Sequence, residues 1–158
     1  MGKQDAILAE LDAAAPALRR YARALCVGAP PAFADDAALD ALQRVAERIR
    51  NSEERPVDAA AVRRLAYAET TRTATRKLRA NPAARIGLSS VPVLRGLAEL
   101  PAEERAVLLL VTLEGLGYDE AAATLGVARE TAIARLMRAR AALGALESRP
   151  AAHLRVVK

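Results

Sequence analysis

The chain has 158 residues, 53% of them apolar but only 3% aromatic, with no tryptophan. That length holds one ordinary domain or two small ones. An apolar share rich in alanine and leucine, with few strand formers, excludes a β-rich fold. Lys and Arg outnumber Asp and Glu by 24 to 19, a net charge of +5 that suits a polyanionic partner.

Residues 5–27 read as a first helix, because Ile7, Leu8, Leu11, Leu18, Tyr21, Ala22 and Leu25 recur at helical spacing, with Pro16 as a kink. Residues 28–31 form a loop. Asp35 and Asp36 then stand where an N-cap belongs, ahead of a helix to Arg50 striped by Leu39, Leu42, Val45, Ala46 and Ile49. After a charged break at 51–56, a third helix spans 58–79. Its polar surface carries Arg63, Arg64, Arg72, Arg76, Lys77 and Arg79 against Glu69, with threonines at 70, 71, 73 and 75. A basic helix dotted with hydroxyls suits phosphates and base edges; a solvated outer face is the plainer alternative. Residues 81–96 hold Pro82, Gly87, Ser89, Ser90, Pro92 and Gly96 and read as a linker. The next helix starts after Pro101, with Glu103 and Glu104 complementing its first turn. The fold expected is therefore all-α: two small helical lobes at 5–80 and 97–146, the linker at 81–96, and a tail at 147–158. His153, the single histidine, reads as a surface residue of that tail.

The densest signal lies at 117–143, GYDEAAATLGVARETAIARLMRARAAL. A helix-turn-helix needs a small residue where its helices cross, and Ala122 is placed for that. It needs a residue tolerant of a sharp turn four positions on, and Gly126 is there. Ala132, Leu136, Ala139 and Leu143 continue as one buried stripe, which leaves Arg129, Glu130, Thr131, Arg135 and Arg138 on the opposite face. Early residues of such a helix reach base edges in the major groove, and later arginines suit phosphates.

Residues 97–143 closely resemble region 4 of the sigma-70 family, in its small extracytoplasmic-function type. The residues that carry the likeness include Leu97, Leu100-Pro101, Glu104-Arg105, Gly115, Tyr118, Glu120-Ala121, Gly126-Val127, Thr131, Arg135-Leu136 and Arg138-Ala139-Arg140. Residues 17–27, 34–45 and 58–79 are similar, less closely, to region 2. The resemblance implies core RNA polymerase, promoter DNA and an anti-sigma factor as partners. It implies that Arg129, Glu130, Thr131, Arg135 and Arg138 read the −35 duplex. Arg63, Arg64, Thr70, Thr71 and Arg72 would contact the −10 strand, and Asp35, Asp36, Asp40, Gln43 and Arg44 would face the polymerase clamp.

Several positions depart from the family pattern. Leu39 stands where a glutamine is usual, Leu42 where an aromatic is usual, and the tryptophans are missing, so Tyr67 alone remains on the −10 helix to stack on an opened base. Ala128 replaces a capping Ser or Thr at a cost of about 1 kcal/mol. Ile133 and Ala134 take DNA-facing positions, so Ile133 is expected to lie exposed or against a protein partner. A linker of about 14 residues reaches about 50 Å, against roughly 45–50 Å between promoter-bound lobes. These features also resemble the sigma-like domain of general stress regulators in alphaproteobacteria, which captures an anti-sigma factor as a decoy. No nucleophile triad, His/Cys cluster or phosphate loop is present, so no enzyme activity, cofactor or metal is expected. Cys26 is the only cysteine, which excludes an intrachain disulfide. The apolar run at 106–112 is too short to span a bilayer, and the acidic N-terminus is no signal peptide, so a cytoplasmic location is expected.

Overall fold

A computed structural model of the chain describes residues 2–85 and 91–147. Among these residues lie eight α-helices and one 3-10 turn: α1 (Lys3–Ala13), α2 (Ala15–Leu25), α3 (Pro31–Arg50), α4 (Ala59–Ala80), the 3-10 turn Pro82–Arg85, α5 (Pro92–Glu99), α6 (Ala102–Thr112), α7 (Tyr118–Leu125) and α8 (Arg129–Glu147). None of these helices is long and apolar enough to cross a membrane. The expected tail from residue 148 onward, with His153, lies outside the described residues.

Three expected boundaries move, two for local reasons and one through packing between helices. Residues 5–27 form two helices, because Pro16 donates no N–H and its ring crowds the carbonyl four residues back. The second helix begins at Pro31, whose fixed φ suits a first helical position. Asp35 and Asp36 therefore lie inside α3 and do not cap it. The expected linker contains α5: Pro92 starts that helix, and Gly96 is a packing residue, since a Cβ there would collide with Leu143 and Leu146 of α8. The connection between the helices of the two lobes shrinks to residues 81–91.

Helix α4 starts as expected. The Asp58 carboxylate accepts from the Ala61 N–H at 2.7 Å, which satisfies one of the four unpaired amides of the first turn. Asp58→Ala should lower stability by about 1 kcal/mol, or about 2–4 °C in Tm for a chain of this size. Thermal unfolding followed by circular dichroism checks this, and an unchanged Tm rejects the cap.

The lobe α1–α4 buries Leu11, Leu18, Tyr21, Leu25, Val45 and Val62 among many alanines, which let the helices approach closely. Tyr21 meets Tyr67 edge to face, with ring centroids 5.4 Å apart. Cys26 is buried in this core, and burial pushes its thiol up to about 11, which leaves it unreactive at neutral pH. The lobe α5–α8 buries Leu97, Leu100, Val107, Leu110, Ala121, Ala132, Leu136 and Ala139. The two cores are continuous, because α2 packs on α6 and α4 packs on α7.

Candidate nucleic-acid interface

The turn at Gly126 is built as the sequence predicts. Gly126 takes φ +65° and ψ +34°, the left-handed region where a side chain is strained. The Val127 N–H donates back to the Ala122 carbonyl at 3.0 Å, closing α7 with a Schellman-type end. Glu120 accepts from the Gly117 N–H at 3.2 Å and fixes the start of α7. Ala121, Ala122, Ala132 and Leu136 are buried where α7 crosses α8, so the helix-turn-helix is locked by small and apolar contacts.

This arrangement leaves Arg129, Glu130, Thr131 and Arg138 exposed on α8, while Arg135 is half-buried and faces α4. Three arginines lean on acids: Arg129 on Asp119 at 2.9 Å, Arg138 on Glu104 at 2.7 Å, and Arg135 loosely on Glu103 at 4.0 Å. Exposed pairs of this kind contribute about 0–1 kcal/mol, so a phosphate can replace the acid at small cost. Ile133 is half-buried, neither free on the surface nor fully packed; Met137, one turn on, is a large apolar residue of this helix left exposed, at 61%.

On α4 the five expected −10 residues separate. Arg63, Arg64 and Arg72 are exposed. Thr70 is fully buried, a correction, because helical phase puts it on the stripe of Val62, Ala66, Thr73 and Ala74 that faces the bundle. Thr71 is likewise turned inward: its hydroxyl donates to the Tyr67 carbonyl and accepts from the Tyr21 hydroxyl, each at 2.8 Å. On α3 four of the five residues expected to face polymerase, Asp36, Asp40, Gln43 and Arg44, share one outer stripe. Asp36, Leu39, Gln43 and Arg44 are exposed, with Asp40 between them bonded to Lys77 at 3.1 Å. Asp35 is set apart by a two-pronged bond to Arg23 at 2.7 and 2.8 Å, which holds its carboxyl below the usual range.

Two residues to which the sequence assigned no role, Glu114 and Arg105, join the lobes. Glu114, in the loop between α6 and α7, has a side chain only 2% exposed. It accepts from both ends of the Arg20 guanidinium, at 2.8 and 3.1 Å, and from the Tyr67 hydroxyl at 2.5 Å. Burial and this bond together raise the Tyr67 hydroxyl pKa. The aromatic expected to stack on DNA is thus buried beneath the other lobe. Arg105 is also buried. It donates to the carbonyls of Leu97, Ala98 and Leu100 at the end of α5 and to Leu25 at the end of α2, at 2.7–3.0 Å. One cation thus closes the C-termini of a helix in each lobe. Burial and the nearby Arg85 charge push its guanidinium down to about 10, so it stays charged at neutral pH. An arginine directly ahead of the apolar run 106–110 was the available signal, since Leu108 and Leu109, one turn on, are buried like it.

Residues 90–143 match the family model described as sigma-70, region 4. That match falls on the C-terminal lobe. The resemblance read from its residues holds, including the turn at Gly126. A solved structure, the sigma factor RpoE in complex with the anti-sigma factor NepR from Bartonella quintana, has a chain with the same fold at a TM-score of 0.64 and 24% identity. The match covers 90% of this chain and 96% of that one, so the shared all-α fold spans both the region 4 lobe and the helices before it. No curated protein matches the sequence.

Proposed function

We propose that the chain is a sigma factor of the extracytoplasmic-function type, a non-enzymatic subunit that docks on core RNA polymerase in the cytoplasm and selects promoters. The reading is carried by a region 4 helix-turn-helix whose second helix offers Arg129, Glu130, Thr131 and Arg138 to solvent. Such a helix enters a major groove with its first turn at the base edges and its later arginines at phosphates. Arg63, Arg64 and Arg72 suit the −10 strand, and the α3 stripe around Leu39 and Asp40 suits the polymerase clamp. An anti-sigma factor that holds the two lobes is the expected regulator.

The test is selection from a random duplex library, with core polymerase association measured in parallel. One enriched motif is expected, with affinity that falls steeply with salt. Arg129→Ala should weaken that motif by about tenfold, within the 1–3 kcal/mol of a lost base contact. Arg138→Ala should weaken all sequences alike and reduce the salt slope by about one. No enrichment together with no polymerase association rejects the reading.

A decoy that captures an anti-sigma factor is the second reading, and one observation favours it. Residues 81–91 reach at most about 40 Å when extended, short of the roughly 45–50 Å between promoter-bound lobes. Simultaneous engagement of both elements then requires α5 to unwind from its start. A chain that binds an anti-sigma factor but neither polymerase nor duplex is the decoy.

A further inference from the structure

Between the lobes lies an open cleft of about 680 Å³, walled by α4 on one side and by α6, α7 and α8 on the other. Its charged lining is Arg72, Arg76 and Arg79 from α4, with Arg135 and Glu103 opposite. The three α4 arginines are spaced i, i+4 and i+7, so they share one face and repel one another. Arg72 is held by Glu69 at 2.6 Å, and Arg135 reaches Glu103 only at 4.0 Å. Among the described residues no ion pair joins Arg76 or Arg79 to an acid. Four guanidinium groups thus share one recess with one carboxylate. Apolar walls, including Ala106 and Leu125, concentrate the positive field there.

The geometry points to a binding site for a small linear polyphosphate, free or as a nucleoside di- or triphosphate, held between the lobes. Guanidinium groups pair with phosphate oxygens two at a time, and Thr75 of α4 lines the same recess. The volume suits a nucleotide-sized anion; a duplex, whose major groove alone is about 12 Å wide, does not fit. Because the two lobes contribute opposite walls, the complete site exists only while they are together. An occupant therefore stabilises the closed form by mass action and withdraws Arg72 and Arg135 from DNA. The site needs lobe closure but not promoter reading, so the two ideas fail separately.

Titration calorimetry of the full chain with inorganic tripolyphosphate, and in a second arm with ATP, tests the site at about 0.15 M salt without divalent cations. One site per chain is expected, with Kd on the order of 10 µM. Arg76→Ala combined with Arg79→Ala should weaken it about tenfold, and Arg135→Ala about fivefold, while Arg129→Ala, outside the cleft, leaves it unchanged. These arginines are exposed or half-exposed, and thermal unfolding of each variant verifies its fold. Equal affinity for the two ligands assigns recognition to the phosphate chain; tighter ATP binding assigns the nucleoside form. Heat that does not saturate at millimolar ligand overturns the site, as does equal weakening by Arg129→Ala. An unaffected Arg135→Ala overturns the interlobe placement. Duplex binding that depends on Arg76 and Arg79, without tripolyphosphate binding, assigns these arginines to DNA and also overturns it.

Discussion

Arg105→Ala should lower the free energy of unfolding by about 3–5 kcal/mol, against a total of about 5–15 kcal/mol for a small protein. The guanidinium is buried and donates to four backbone carbonyls, three at the end of α5 and one, of Leu25, at the end of α2. Alanine leaves those acceptors inside the protein without their donor, and an unsatisfied buried group costs about 1–3 kcal/mol. Ala98 keeps a second donor in Arg85, so the loss falls chiefly on Leu97, Leu100 and Leu25. It also leaves a cavity in place of a large, fully buried side chain. Arg105→Lys keeps a charge but not the planar fork, so it should recover less than half of the loss. Urea unfolding of the three proteins decides the matter. A drop below about 1 kcal/mol for the alanine variant means that water satisfies these carbonyls and that Arg105 does not hold the lobes. Arg105→Ala should also shift the lobes apart, since the Leu25 bond crosses between them.

What could be read from the sequence was local. Asp58 announced the start of α4, and Ala122 and Gly126 announced the turn between α7 and α8, because each acts on amides or carbonyls a few residues away. The region 4 lobe was legible for the same reason: its anchors at 132, 136, 139 and 143 repeat within one helix. Proline and glycine misled where tertiary packing decided their role. Pro92 and Gly96 read as breakers, yet one starts α5 and the other lets α5 lie against α8. The threonines of α4 read as a polar surface, but a half-turn of helical phase separates Thr70, buried, from Arg72, exposed. Least legible was the junction. Glu114 sits 94 positions from Arg20 and 47 from Tyr67, and Arg105 sits 80 from Leu25. Nothing in local periodicity couples such distant positions.

The junction changes what the α4 surface means. Read alone, α4 is a basic helix with an aromatic available for DNA. In the folded chain Tyr67 is 6% exposed and bonded to Glu114, and Arg63 and Arg64 border the same loop. On the proposed reading, contact of α4 with an opened strand requires the lobes to separate, while the first turn of α8 is accessible in the closed form. A ligand or partner that prefers one arrangement shifts the population by its difference in affinity for the two.

Glu114→Ala should open the molecule and strengthen DNA binding. The carboxylate is almost wholly buried, yet all the side-chain hydrogen bonds described for it go to the other lobe, to Arg20 of α2 and Tyr67 of α4. Hydrogen bonds to a charged group contribute about 1.5–3 kcal/mol, and part of that is lost to solvent screening because Arg20 is half-exposed. A net shift of about 1.4 kcal/mol changes the ratio of open to closed molecules tenfold. Where the open form is a minor species, apparent affinity for an unpaired −10 strand rises by the same factor. Affinity for a duplex read by α8 alone should hardly change, which separates opening from a general gain in positive charge. Small-angle scattering should show a radius of gyration above the roughly 15 Å of a closed chain of this length. Arg20→Ala should move both readouts in the same direction and by less, since Tyr67 still holds the carboxylate. A folded Glu114→Ala protein with unchanged scattering and unchanged single-strand affinity removes Glu114 as the latch and leaves Arg105 and the apolar contacts of α2 with α6 to hold the lobes.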